Sequence, residues 1–288
     1  MISANKTDYV LNIAVTRTVD DANGNTSVAE TAYTTSTDGA SPIVTSVSSP
    51  GNATYIVGQN LDFVVNYSES VTVTTTGGTP SIAMTLTSGS ETAVYNTGSP
   101  SSAITYRYTV GANDADADGV ALGALSLNLG TIQDGASNNA DNTLNNVATL
   151  TGVLVDGVLP AVSATETIDN DGDGTVDYIK VTFTEAVSDA SVSAGDFVAS
   201  IVGDDLGTDG GDLVESFTSG MPNSGTETDV ANDAIIYVGV ADGTETILAN
   251  KTDYTIKVAV AGTVDDANGN TSVAETAYNT STDGASPI

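Results

Sequence analysis

Aspartates at alternating positions, closed by a glycine, are the residues of this chain best suited to chemistry. Asp169, Asp171 and Asp173 are followed by Gly174, Thr175 and Asp177. Carboxylates at positions 1, 3 and 5 of a tight turn point inward, and the glycine permits the bend. Thr175 then offers a carbonyl, and Asp177 at position 9 adds a further oxygen. Such an all-oxygen cage suits a hard cation, Ca2+ better than magnesium, which tolerates crowded, flexible cages poorly. An EF-hand would need glutamate at position 12, where Lys180 stands, so this loop is expected to lead into a strand. Asp114, Asp116 and Asp118 before Gly119 repeat the spacing. Their position 12 is Leu125, which leaves the last ligand to another residue or to water. For both loops the competing reading is a solvated acidic turn.

Composition narrows what else the chain can do. Of 288 residues 37 are acidic and 6 are basic, a formal net charge of −31. Histidine, cysteine and tryptophan are absent. Nucleophile pairs built on His or Cys, imidazole or thiolate zinc sites and disulfide staples are therefore excluded. Six basic residues make no cationic face for nucleic acid or anionic membranes. No 18-residue apolar stretch is present, so no helical membrane insertion is expected. Residues 1–6 have no apolar core of the kind a signal peptide carries. Paired carboxylates can hydrolyse glycosides, but these acids sit in Gly/Asn/Asp turns where solvation keeps them ionised. A non-catalytic role is expected.

The elements that must hold these loops are announced by an internal repeat. Residues 4–43 recur as residues 249–288, an offset of 245, and Thr18–Tyr33 is identical to Thr263–Tyr278. Asp-Gly-x-x-Pro begins at Asp38, Asp156 and Asp283, each a turn followed by a proline that enforces extended backbone. Read as junctions, these marks give a C-terminal remnant of a preceding repeat (1–38), complete domains at 41–157 and 158–284, and the start of a next linker at 285–288. The two complete domains share patterns: residues 61–71, ending Tyr67-Ser68-Glu69-Ser70-Val71, match residues 177–187, ending Phe183-Thr184-Glu185-Ala186-Val187. Residues 131–139, around Asp134, likewise match 263–270, around Asp265 and Asp266.

Period-two alternation dominates both domains. Leu61, Phe63, Val65 and Tyr67 share one face. Ile82, Met84 and Leu86 form a second set, and Ile104, Tyr106, Tyr108 and Val110 a third. Leu125, Leu127 and Leu129 make a fourth. In the second domain the sets are Ile179, Val181 and Phe183, then Ile236, Val238 and Val240, then Tyr254, Ile256, Val258 and Val260. One short helical turn is expected near residues 193–197. Short strands over about 120 residues without helical crossovers predict an all-β fold of tandem immunoglobulin-like antiparallel β-sandwich domains arranged end to end.

The Asp-Gly-x-x-Pro junctions, the Tyr-Ser-Glu-x-Val and Phe-Thr-Glu-x-Val strand ends and the Thr-Ile/Val-x-Asp loops resemble the bacterial immunoglobulin-like repeats of very large, calcium-dependent cell-surface adhesins. The resemblance spans essentially all 288 residues and implies calcium at the seams between domains. There Glu69 would join Asp156, or Glu185 would join Asp283. The competing reading makes both glutamates exposed strand ends and the Asp-Gly pairs plain turns; Asp134, Asp265 and Asp266 are expected to be turn formers. The implied protein is extracellular, a calcium-stabilised stalk or extender whose partners are neighbouring repeats of the same chain. Alternatives are a glycan- or protein-binding module, or a surface-layer or filament subunit in which the remnant at 1–38 drives head-to-tail self-association.

Overall fold

A computed structural model of the protein describes residues 10–11, 22–25, 34–35, 38–169, 177–201, 217–218, 231–239, 254–258, 264–277 and 279–283. The remnant at 1–38 and the linker at 285–288 lie largely or wholly outside them. The described residues up to Val110, with Asp116–Val155, form one compact unit; Gly111–Ala115 and the described residues from Asp156 onward form another. Strands dominate both. Among the described residues there is no α-helix, only single 3₁₀ turns at Asp189–Ser191 and Ala194–Asp196, the second where the short turn was expected.

In chain order the first unit contains β1 (Val10–Leu11), β2 (Thr34–Thr35), β3 (Val44–Ser48), β4 (Ala53–Ile56), β5 (Asn60–Thr74) and β6 (Ser81–Leu86). It continues with β7 (Gly89–Thr97), β8 (Ser101–Thr109), β9 (Ala115–Asp116), β10 (Ala121–Ser126), β11 (Thr131–Gln133) and β12 (Val153–Asp156). The main sheet runs β10-β6-β7-β8-β5-β11, with β3 also paired to β5, and a smaller sheet runs β4-β12-β9. Alternation sets the faces. Leu61, Phe63, Val65, Ile82, Ile104 and Tyr106 are fully buried, each of them contributing about 1.5–3 kcal/mol by leaving water. Val44, Val47, Tyr67, Val71, Met84, Leu86, Ala93, Val110, Val120, Ile132, Leu150, Val153 and Val155 complete the core. One expected face breaks early. β10 ends at Ser126, and Leu129 stands 85% exposed at φ 70 in the turn that follows.

The second unit contains β13 (Val162–Ile168), β14 (Tyr178–Phe183), β15 (Phe197–Ile201), β16 (Phe217–Thr218), β17 (Ile235–Gly239), β18 (Tyr254–Val258), β19 (Asn279–Thr280) and β20 (Thr282–Asp283). Its sheets run β16-β17-β14-β13-β20 and β15-β18-β19. Pairing is antiparallel except between β13 and β20. Ile179, Val181, Phe183, Ile236 and Val238 are buried as their alternation requires; Val240 and Val260 lie outside the described residues. The duplicated segment forms the same backbone pairing in both copies. β1 and β2 pair Val10↔Thr35 and Leu11↔Thr34, and the residues 245 further on pair Thr255↔Thr280 and Ile256↔Asn279.

The assignment of Gly111–Ala115 to the second unit has a local cause. Asn113 donates its N–H to the Gly157 carbonyl at 2.7 Å, and Gly157 donates to the Asp114 carbonyl at 2.6 Å. A Cβ on Gly157 would lie 2.2 Å from the Gly111 carbonyl oxygen, whereas one on Gly39, the counterpart in the earlier junction, would meet nothing within 4 Å. Gly157→Ala is therefore expected to cost about 2 kcal/mol or more. Gly39→Ala should be neutral or stabilising by up to about 1 kcal/mol. Urea unfolding of the two variants separates these outcomes.

Candidate metal centre

Strand phase alone puts a carboxylate in the core. Glu69 follows Leu61, Phe63, Val65 and Tyr67 at even spacing and precedes Val71, so it falls on the buried face of β5 and is only 5% exposed. β5 is irregular here: its register against β8 shifts between Asn66 and Val71. Beyond the shift, Thr72, Val73 and Thr74 pair with β11, which runs from Thr131 to Gln133 straight into Asp134. On the other side β3 pairs Val44 with Tyr67 and draws in the junction that precedes it. The result is that Asp38, Glu69 and Asp134 each bring a carboxylate oxygen within 4.8 Å of the others.

The second unit builds the same constellation from Asp156, Glu185 and Asp266, again within 4.8 Å. Much of the wiring agrees; the bond from Asn268 Nδ2 to Asp156 Oδ2 is particular to the second unit. The Ser68 N–H donates to the Ile43 carbonyl and its hydroxyl accepts the Ile43 N–H; Thr184 does the same with Ala161. In each case the partner is the residue after the junction proline, so the hydroxyl before each glutamate clips the junction to the strand end. Asn138 donates its N–H to Asp134 Oδ1 and its Nδ2–H to Asp134 Oδ2 and to the Asp38 carbonyl. Asn270 makes the matching bonds to Asp266 and to the Asp156 carbonyl. The Asn138 and Asn270 side chains thus tie loop to junction, and Asp134 and Asp266 become fixed walls of an acidic recess.

Electrostatics opposes leaving three carboxylates so close. Two unit charges 4.8 Å apart repel by about 3.5 kcal/mol even at an effective dielectric of 20. Oε1 of Glu69 and Oε1 of Glu185 are buried and accept no hydrogen bond. Burial first, then the Asp134 and Asp38 charges, push the Glu69 carboxyl above its ordinary range. Burial, then Asp266 and Asp156, push Glu185 up to about 7. Burial acts to raise Asp134 also, but the bonds from Asn138, Ala136 and Ser137 outweigh it and hold that carboxyl below the usual range. Asp265, next to the second cluster, is raised by burial and by Asp266.

The sequence-derived sites fare differently. Glu69 and Glu185 each join a junction aspartate, but the one that precedes their domain. Asp38 takes the place expected of Asp156, and Asp156 the place expected of Asp283. The reason is topological: the junction runs directly into the strand beside the glutamate, through Ile43–Ser68 and Ala161–Thr184. By the 245-residue offset Asp283 is the counterpart of Asp38; its backbone pairs with Thr167. Asp134 and Asp266 do form turns, and they also supply the third carboxylate. That second role was missed because turn and ligand use the same residue types.

Asp114, Asp116 and Asp118 are not among the residues brought into such a group. Asp114 Oδ2 accepts the Gly111 N–H, Asp116 accepts from Thr87 and Gly119, and exposed Asp118 accepts the Thr87 hydroxyl. The three carboxylates bond to different stretches of the chain, Gly111, Thr87 and Gly119 among them. Of the loop at 169–177, Asp171, Asp173 and Thr175 lie outside the described residues. Its flanks, Asp169 and Asp177, are half-buried, and the Asp177 N–H donates to the Ile168 carbonyl.

The chain matches no family model and no curated protein. Among the described residues no helix is long and apolar enough to cross a membrane.

Proposed function

We propose that this chain is a non-catalytic, calcium-stabilised structural segment of an extracellular bacterial surface protein, made of tandem immunoglobulin-like sandwich modules. The observation that carries this reading is the repetition of one constellation: junction aspartate, strand-end glutamate and loop aspartate occur once per unit with matching hydrogen bonds. A catalytic site needs one copy, whereas a site that recurs with every module belongs to the module's architecture. The 245-residue repeat and the shared register of its two copies point the same way. An extender of this kind would keep a distal binding region away from the cell. It is tested by solution scattering on chains with one, two and three copies of the 245-residue period in millimolar calcium. The maximum dimension is expected to rise linearly with copy number, and a dimension that grows only as a compact globule does would refute the reading.

The matching registers of residues 10–35 and 255–280 favour a second reading, head-to-tail self-association through exchange of these strand pairs. Light scattering of the 288-residue chain across a hundredfold concentration range should then show species larger than the monomer. Monomer alone excludes it.

A further inference from the structure

We infer that Asn268–Gly269 is a self-modifying lock on the second junction: the intact amide holds Asp156, and its spontaneous deamidation to a carboxylate releases it. The lock is a property of the second unit's own hydrogen bonds, and the extender role does not require it.

The turn itself does not call for this pair of residues. Counting from the loop aspartate, Ala136 and Ser137 fill the same places in the first unit. Ala136 donates its N–H to Asp134 Oδ1 at 2.8 Å, as Asn268 does to Asp266 Oδ1 at 2.8 Å. Ser137 takes the left-handed backbone (φ 71) that Gly269 takes (φ 94). What Asn268 adds is its side chain. Its Nδ2 donates to Asp156 Oδ2 at 2.6 Å, a charge-assisted bond that alanine cannot make. With the bond from Asn270 to the Asp156 carbonyl, it ties the loop to the junction twice.

Asparagine before glycine is also the pair most prone to close on itself, because glycine has no Cβ to obstruct its backbone nitrogen. The Gly269 nitrogen attacks Asn268 Cγ, and the Cγ–Nδ2 bond breaks as the new C–N bond forms. The displaced amide leaves as ammonia, taking the proton from Gly269. Water then opens the five-membered imide at either carbonyl and gives aspartate or isoaspartate. Asn268 and Gly269 are both exposed, so water and hydroxide reach them. Two carboxylates hold the reaction back. Asp266 Oδ1 accepts the Gly269 N–H at 2.6 Å and opposes loss of that proton, while Asp156 draws the amide toward the junction. Breaking one such bond to reach the cyclising geometry slows the reaction by about ten- to a hundredfold. After conversion a second carboxylate faces Asp156 where a donor stood, and attraction becomes repulsion.

Residues 18–33 repeat residues 263–278 letter for letter, so Asn23–Gly24 supplies a reference of identical sequence. The 288-residue chain is incubated in mildly alkaline, calcium-free buffer, folded and in urea, and peptide mapping by mass spectrometry follows both asparagines. In urea the two are expected to convert at one rate. In the folded chain Asn268 is expected to convert about ten- to a hundredfold more slowly than in urea, and Asp156→Ala to restore much of the difference. An Asn268 that converts as fast folded as unfolded, or that never converts while folded, overturns the inference, and that comparison needs no variant. The Asn268→Asp variant carries the product's charge. In calcium-free buffer it is expected to melt about 2–8 °C below the wild-type chain, and an unchanged melting temperature likewise overturns the lock.

Discussion

In calcium-free buffer at pH 7.5, the Glu69→Gln/Glu185→Gln double variant melts above the wild-type chain, and in millimolar calcium the order reverses. Without an ion the wild-type protein must keep a buried glutamate oxygen unpaired in each unit, beside two aspartates. Glutamine removes the repulsion from the two aspartates and supplies an amide N–H that can donate to them, so it is expected to stabilise each unit by about 1–3 kcal/mol. With calcium at ten times its dissociation constant, an intact site adds about 1.4 kcal/mol that the variant cannot gain. It also cancels the like-charge crowding, so the wild-type chain gains on both counts. Thermal melts of both chains, in EGTA and in calcium, read the crossing directly. Parallel shifts of the two chains under both conditions would contradict it.

The same melts carry a pH signature. Glu185 titrates near 7 in the folded protein, raised by burial and by Asp266 and Asp156, against about 4.5 unfolded. Between those values the folded state holds the proton that the unfolded state has released, so stability falls as pH rises. The contribution is complete below pH 4.5 and lost by the time pH has passed about 7. Glu69, facing Asp134 and Asp38, is raised in the same direction and adds to the slope. Calcium-free wild-type protein should therefore melt lower at pH 7.5 than at pH 5.5, and the glutamine double variant should show a flatter profile.

Asn270→Ala is expected to be the most damaging single substitution of a polar residue, at about 3–5 kcal/mol. Asn270 is 2% exposed, and its Nδ2 donates at 2.8 Å to Asp266 Oδ2 and at 3.0 Å to the Asp156 carbonyl. Its removal leaves the buried Asp266 carboxylate short of a donor and unties loop from junction, and bonds to charged groups contribute about 1.5–3 kcal/mol each. Asn138→Ala should do the same in the first unit at smaller cost, since Asn138 is half-buried and its bond to the Asp38 carbonyl is 3.3 Å. Urea unfolding of the two variants orders them. Equal costs would show that burial does not govern the difference.

Local periodicity was enough to reach much of this architecture. A strand places successive side chains on opposite faces, so the run from Leu61 to Val71 already fixed Glu69 on the apolar side, and the 245-residue echo already marked one module used more than once. Leu129 escaped the same rule because a turn at Leu127–Gly130 interrupts the alternation, and its left-handed backbone gives no sign in residue type.

Which acids meet was decided only in three dimensions. The partners of Glu69 stand 31 residues before it (Asp38) and 65 after it (Asp134). They converge because β5 slips register between Asn66 and Val71 and because Ser68 clips Ile43. Alternating aspartates at 114, 116 and 118 are not among the grouped carboxylates, and they bond instead to Gly111, Thr87 and Gly119. Spacing along a chain reports which face a side chain occupies; convergence between distant segments depends on strand register, and register is set by packing across the sheet.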